Sequence, residues 1–388
     1  MRLVFFTNYL NHHQVLVADE FYKLLGDDFC YVATLPLNEK ELKGGADYSS
    51  RPYCILAAST DEKRRLAFTL AREAETCVFG ACSQEFAVER AKYNPEGLSF
   101  EMGERWLKHG LLTIGSPVFR EWLLNYFRYF RNANFHKLCC SSFTAGDDVK
   151  LHAYVGRHYK WGYFTCVEEK SAELNLRGAS GKGKVRILWC ARFLSLKHPE
   201  LVVMLAARLK ADGYDFAVEM YGDEVNLAPR DRAYPRVELE RLIDRLNVGD
   251  VVMLRGNRPN AEVLQAMKDS DIFLFTSDRL EGWGAVANES MANGCVLVAS
   301  EEIGSTGYLV EDKLTGLKFR SRDLDSLCTK VKFLLDNPEE MRRIAFNGRY
   351  LMENLWNPAN AARSLLVLID DLKTGGKTSI SNGPCSKA

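Results

Sequence analysis

No charge of one sign dominates this chain: its 388 residues carry 51 lysines and arginines against 51 aspartates and glutamates. A net charge of zero gives no overall pull toward nucleic acid or acidic lipid, so any basic surface has to be local. No apolar run approaches the roughly 18 residues of a membrane-spanning helix. The N-terminal "MRLVFFTNYL" has one basic residue and a short apolar run followed at once by polar residues, and reads as a first strand rather than a signal peptide. Cysteine is not scarce, at eleven, but the CxxC spacing is missing. Cys139 and Cys140 are adjacent, and Cys54, Cys190 and Cys295 sit inside apolar runs. That pattern argues against a disulfide framework or a zinc site and for small buried thiols in a reducing cytosol.

What is present is a globular composition, 47% hydrophobic and 26% charged, on a chain long enough for two ordinary domains. The first half alternates short apolar runs ("RLVFFT", "DFCYVAT", "YCILAAS", "TCVFGAC", "LSFEM") with helical patterns. The second half repeats the rhythm with "VRILWCA", "FAVEMYG", "VVMLRG", "DIFLFTS" and "CVLVAS". Strands alternating with helices imply parallel pairing, and continuous apolar strands imply sheets covered on both faces. The expected fold class is therefore α/β, with two Rossmann-like doubly wound domains. We expect a first domain at 1–167, a linker at 168–184, a second domain at 185–373 whose last helix returns to the first, and a disordered tail at 374–388. Within the linker, Gly178 to Lys184 fits GxxxxGK, but Val185 and a strand follow where a phosphate-binding loop needs Ser or Thr and a helix.

Ligands of such sheets sit at the carboxyl ends of the strands. Two candidate groups fall there in the second domain. Arg192 and Lys197, in "ARFLSLKHPE", follow its first strand where a helix beginning at Pro199 presents its N-terminus. Two cations beside a positive helix end repel one another unless an anion is bound, and a diphosphate would resolve the conflict. Glu281 and Glu289, in "EGWGAVANES", follow the run "DIFLFTS". Glycines put Glu281 in a loop, a helix starting near Trp283 or Gly284 carries Glu289, and carboxylates accept hydrogen bonds from vicinal sugar diols.

The span "EGWGAVANESMANG" resembles the E-x7-E signature of the family-four retaining glycosyltransferases of the GT-B fold, and "ARFLSLKHPE" resembles their Gly-Arg-Leu-x-x-x-Lys-Gly segment. Ala191 and His198 stand where glycine is usual. The resemblance covers roughly Val185 to Trp356, while "FFTNYLNHHQ" and "YKWGYF" are similar to bacterial polysaccharide-cluster members. It implies two domains facing across a cleft and a nucleotide-diphosphate sugar held mainly by the second. Arg192 and Lys197 would neutralise the leaving diphosphate, Glu281 would bind donor-sugar hydroxyls with Gly282, Trp283 and Gly284 around the sugar, and Glu289 would hold the ribose. No cofactor or metal would be required. A carbohydrate or lipid-linked hydroxyl would be the acceptor, nucleic acid would not be a partner, and the setting would be cytoplasmic or peripheral on the inner membrane face.

In the first domain Asn11, His12, His13 and Glu104 fall at carboxyl strand ends as candidate acceptor or donor contacts, Asn11 alternatively as a helix cap. The histidine known from the family's first domain lies at a different loop, where this chain has Met102 and Gly103. "FREWLLNYFRYFRNANFHK", Phe119 to Lys137, has helical apolar spacing and basic excess; it reads as a core helix, with a weak peripheral membrane contact as the alternative. Two functional alternatives stay open: a glycoside hydrolase using Glu281 and Glu289, and a non-catalytic sugar-nucleotide-binding protein on the same fold.

Overall fold

The computed structural model describes residues 2–36, 47–132, 134–167, 183–224 and 232–388. Most of the expected linker, with all of the Gly178 to Lys184 pattern except Gly183 and Lys184, lies outside the described residues. The chain divides into two compact units, Met1–Phe164 with Trp356–Ala388, and Thr165–Leu355.

The first unit is built on a seven-stranded parallel sheet. Its strands are β1 (Leu3–Thr7), β2 (Phe29–Ala33), β3 (Cys54–Leu56), β4 (Thr76–Phe79), β5 (Leu98–Gly103), β6 (Phe135–Cys139) and β7 (His158–Lys160), in the order β3-β2-β1-β4-β5-β6-β7. The connecting helices are α1 (His12–Leu25), α2 (Asp61–Glu73), α3 (Gln84–Tyr93), α4 (Pro117–Asn125) and α5 (Thr144–Lys150). Every residue of β1, β4 and β6 is buried, as a sheet covered on both faces requires.

Two expectations fail in this unit. The helical stripe from Phe119 stops at Phe130, and Phe135–Cys139 is strand β6. Lys137 is consequently no part of a basic helix face: its ammonium is fully buried and pairs with Glu101 at 2.6 Å. The indoles of Trp106 and Trp122 lie 4.8 and 5.8 Å from it. Nor is the tail at 374–388 disordered. Cys385 N–H donates to the Lys160 carbonyl at 2.7 Å and Lys160 N–H to the Ser386 carbonyl at 2.8 Å, with Tyr159 and Lys387 forming an antiparallel bridge. Composition predicted otherwise because the segment is polar; what holds it is the open edge of β7, whose unpaired backbone groups any short extended segment can satisfy.

The second unit carries a six-stranded parallel sheet in the order β10-β9-β8-β11-β12-β13. The strands are β8 (Val185–Cys190), β9 (Phe216–Tyr221), β10 (Val252–Gly256), β11 (Ile272–Phe275), β12 (Val296–Ser300) and β13 (Leu317–Phe319). Its helices are α6 (Pro199–Ala211), α7 (Arg236–Arg245), α8 (Asn260–Lys268), α9 (Val286–Ala292), α10 (Thr306–Leu309), α11 (Leu324–Asp336) and α12 (Pro338–Asn354). Trp189, Leu205, Val218, Leu274, Val298 and Val331 belong to one continuous core between sheet and helices.

The last helix, α13 (Pro358–Thr374), packs on α1 and so belongs to the first unit. Asn357 caps it, accepting from Asn360 N–H at 2.8 Å, and proline occupies its first turn where no N–H is needed. In the second sheet β8 and β11 are neighbours, yet the chain leaves β8 toward β9 and leaves β11 toward β12. The loops after these two strands diverge, and the crevice between them at the carboxyl ends is where such sheets bind ligands.

Candidate active site

The loop after β8 is laced to its surroundings through the backbone. Phe193 N–H donates to the Asp223 carbonyl at 3.0 Å, Tyr234 N–H to the Phe193 carbonyl at 3.0 Å, and Ser195 N–H to the Arg232 carbonyl at 2.8 Å. Phe193 and Leu194 are buried beneath it. Arg192, half-buried, stands two residues past the end of β8, and Ser195–Lys197 form a single tight turn. His198 then adopts the left-handed conformation, φ 48° and ψ 54°, before Pro199 opens α6. That backbone explains why glycine is usual at this position; here histidine tolerates it.

The two diverging loops are joined. Asp278 N–H donates to the Leu196 carbonyl at 2.9 Å. Thr276 Oγ1 donates to the Lys197 carbonyl at 2.5 Å while accepting from Trp189 Nε1 at 2.9 Å. The Lys197 ammonium forms an ion pair with the Glu281 carboxylate, with side chains 15% and 14% exposed, so the pair is accessible but mostly desolvated. The Phe275 ring lies 5.8 Å from the same ammonium.

Glu289 lies at the fourth position of α9, its N–H donating to the Ala285 carbonyl at 3.1 Å. Burial pushes its carboxyl pKa up, and among the described residues nothing donates a hydrogen bond to that carboxylate. The Cys190 thiol at the end of β8 is pushed up to about 12, first by burial and then by Glu289, with Lys197 pulling the other way. Both charges therefore converge on the end of β8.

The helix expected to begin near Trp283 or Gly284 begins at Val286 instead. Gly284 has φ 79°, outside the helical range, and a Cβ there would stand 2.3 Å from the Phe275 ring. Trp283 is fully buried, its Nε1–H donating to Asn288 Oδ1 at 2.8 Å, so it is a core side chain and can offer a ligand only its backbone.

A second network, not foreseen from sequence, ties the loops from outside the Lys197–Glu281 pair. His198 Nε2 lies 3.2 Å from Asp278 Oδ2 and Nδ1 2.9 Å from Glu200 Oε1, and the Arg322 guanidinium also reaches Asp278. Burial alone would lower the His198 pKa, but hydrogen bonds to Asp278 and Glu200 outweigh it and raise it to about 9 from 6.5. Burial would likewise raise Asp278, but His198, the Leu280 N–H and Arg322 hold it down at about 2 from 3.8. Since the folded state holds the histidine proton more tightly, its stabilisation is complete below pH 6.5 and disappears as pH rises through about 9. The aspartate contribution is present above 3.8 and is lost as pH falls through about 2. The melting temperature should fall between pH 6.5 and 9 in the native protein and change less in His198→Asn, which keeps the left-handed backbone without the charge. Superimposable pH profiles for the two proteins would refute the assignment.

In the first unit Asn11 caps α1, its Oδ1 accepting from His13 N–H at 2.9 Å. The His12 and His13 rings lie 3.8 Å apart, His12 exposed, and His13 stacks on Tyr163 at 5.3 Å with 9° between planes. Tyr163 OH reaches Glu104 at 3.4 Å, and Lys108 pairs with Glu104 at 2.6 Å. His13 and Glu104 are thereby joined through Tyr163, a residue that sequence reasoning passed over although it lies in the quoted "YKWGYF". Among the described residues no three histidine, cysteine, aspartate or glutamate side chains are grouped as metal ligands.

Residues 173–350 match the profile of the family described as glycosyl transferases group 1. Over that span, just under half of the chain, the protein is similar to the group 1 glycosyl transferases. The matched span contains Arg192, Lys197, Glu281 and Glu289. Among curated relatives, an MMP alpha-(1->4)-mannosyltransferase of Mycolicibacterium hassiacum is 28% identical over 126 residues, 32% of this chain and 30% of the relative. The amylovoran biosynthesis glycosyltransferase AmsK of Erwinia amylovora is 25% identical over 213 residues, 53% of this chain and 49% of the relative. The chain thus spans half or less of the length of these relatives. The solved structure of Anabaena Alr3699/HepE in complex with UDP aligns over 96% of this chain and 100% of its own, with TM-score 0.68 and 14% identity. A glycosyltransferase of Rickettsia africae aligns over 96% and 99%, also with TM-score 0.68 and 14% identity. At that identity the likeness carries the fold alone: two Rossmann-like α/β units of the GT-B type.

Proposed function

We propose that the protein is a retaining, metal-independent glycosyltransferase. It moves a sugar from a nucleoside-diphosphate sugar to a hydroxyl of a carbohydrate or lipid-linked acceptor in the synthesis of a cell-surface polysaccharide or glycoconjugate. The observation that carries this reading is the Lys197–Glu281 pair at the divergence of the β8 and β11 loops, with Arg192 on the same loop. As the glycosidic bond breaks, negative charge grows on the leaving diphosphate, and preorganised cations contribute most where charge develops. Arg192 and Lys197 supply that charge, so the transfer needs no metal. Glu281 orients the ammonium and accepts from sugar hydroxyls, with the backbone of Gly282 to Gly284 beside the sugar. The Glu289 carboxylate, raised by burial and without a described donor, is matched to the vicinal ribose hydroxyls.

A hydrolase built on Glu281 and Glu289 would need no lysine on the first carboxylate, and the named relatives are transferases, which favours transfer. Among the described residues no helix is long and apolar enough to cross a membrane, and we place the reaction on the cytoplasmic side. Calorimetric titration with nucleoside mono- and diphosphates tests the donor site. The diphosphate should bind at least about tenfold tighter, the effect of one charge-assisted hydrogen bond, with no change on adding a chelator. NMR of the transfer product should show the donor's anomeric configuration retained. Absence of binding heat would refute the donor site, and an inverted product would refute retention.

A further inference from the structure

The four most exposed large apolar side chains among the described residues all lie within 111–124 of the first unit: Leu112 at 85%, Val118 at 77%, and Leu111 and Leu124 at 70% each. Phe127 follows at 42%. The crowding is a consequence of how the aromatic helix divides. Its inner side is pinned: Trp122 packs on Trp106 at 3.7 Å and on Tyr126 at 6.2 Å, and the Tyr126 hydroxyl accepts from Tyr154 N–H at 2.7 Å. Leu124, Phe127 and Arg128 then fall at i, i+3 and i+4 on the opposite side, Val118 is exposed in the first turn of α4, and the preceding 3-10 turn at Gly110–Gly115 carries Leu111 and Leu112.

The charges around these side chains are mostly basic. Arg120, Arg128 and Arg131 are exposed, and Lys92 lies 5.4 Å from the Tyr129 ring that Arg128 also covers, at 5.2 Å. Between residues 108 and 131 the one acid is Glu121. On a chain of zero net charge this is a local excess with apolar side chains between the cations, the pattern of a surface helix lying at a lipid interface. A second copy of the chain is a poorer occupant, because a two-fold contact through this face would set arginines against arginines.

We propose that residues 108–131 dock the first unit onto the surface of an anionic bilayer. Leu111, Leu112, Val118 and Leu124 enter the headgroup boundary, and Arg120, Arg128 and Arg131 meet anionic headgroups. The proposal is independent of the donor site, since every residue in it lies in the first unit.

Co-sedimentation of the full chain with phosphatidylcholine vesicles, and with phosphatidylcholine–phosphatidylglycerol vesicles, tests it. Three interfacial arginines should make binding to the anionic vesicles about a hundredfold tighter. Salt should weaken that binding, and Leu112→Asp with Val118→Asp should remove it while leaving the melting temperature and nucleoside-diphosphate binding unchanged. Equal binding to both vesicles, or to neither, would overturn the proposal. So would sedimentation as a dimer that the same substitutions dissociate, which would assign the face to self-association.

Discussion

Lys197→Ala and Arg192→Ala are each expected to lower kcat for sugar transfer by about 10²–10³-fold, the usual consequence of removing one preorganised charge-stabilising group. The Lys197 ammonium is held by the Glu281 carboxylate, and the backbone beneath it is fixed by the Thr276 hydroxyl. In the proposed mechanism the cation is in place before the diphosphate charge develops and undergoes no reorganisation as it does. Because it acts mainly on charge absent from the ground state, kcat should fall further than the donor KM rises. Neither substitution touches the core: both side chains lie on the loop after β8, above the buried Phe193 and Leu194. Unchanged melting curves together with steady-state kinetics check the prediction, and a variant that retains full kcat would remove its residue from the mechanism.

Gly222→Ala should produce the largest loss of stability from a single methyl group. Gly222 directly follows β9 with φ 139°, and a Cβ built on it would lie 1.8 Å from the Ala191 carbonyl oxygen. That neighbour is backbone, so no rotamer change relieves the clash. Forcing the chain apart costs about 1–3 kcal/mol for overpacking, and the disallowed φ adds roughly 1–2 kcal/mol. Each kcal/mol corresponds to a fall of roughly 2–4 °C in melting temperature for a unit of this size. The displaced residue precedes Arg192, so activity should fall further than stability alone explains. A melting temperature within a degree or so of the native protein would contradict the close approach.

Strand identity was legible wherever an apolar run was short and bounded by polar residues. "RLVFFT", "VRILWCA" and "DIFLFTS" contain β1, β8 and β11. The stripe from Phe119 to Lys137 was less legible. Aromatic spacing continues through Phe130, but Phe135 to Cys139 pair with β5 in the sheet, and Lys137 is drawn inward by Glu101, which belongs to a different strand. The second cation network was hidden for a related reason. His198 and Glu200 are neighbours at the start of α6, but Asp278 and Arg322 come from distant loops, and only the folded chain brings Asp278 to the histidine.

By itself the sequence determined two covered parallel sheets, through the period of its apolar runs, and marked a candidate site by the charged residues that follow β8 and β11. Tertiary structure decided which of those charges meet. It paired Lys197 with Glu281, left Glu289 to burial, turned the Trp283 side chain inward, and drew a polar tail onto the edge of β7. The division follows from range: periodicity and turn chemistry act over a few residues and can be read along the chain. Desolvation, ion pairing and edge pairing depend on neighbours tens or hundreds of residues away, and exist only once the chain is folded.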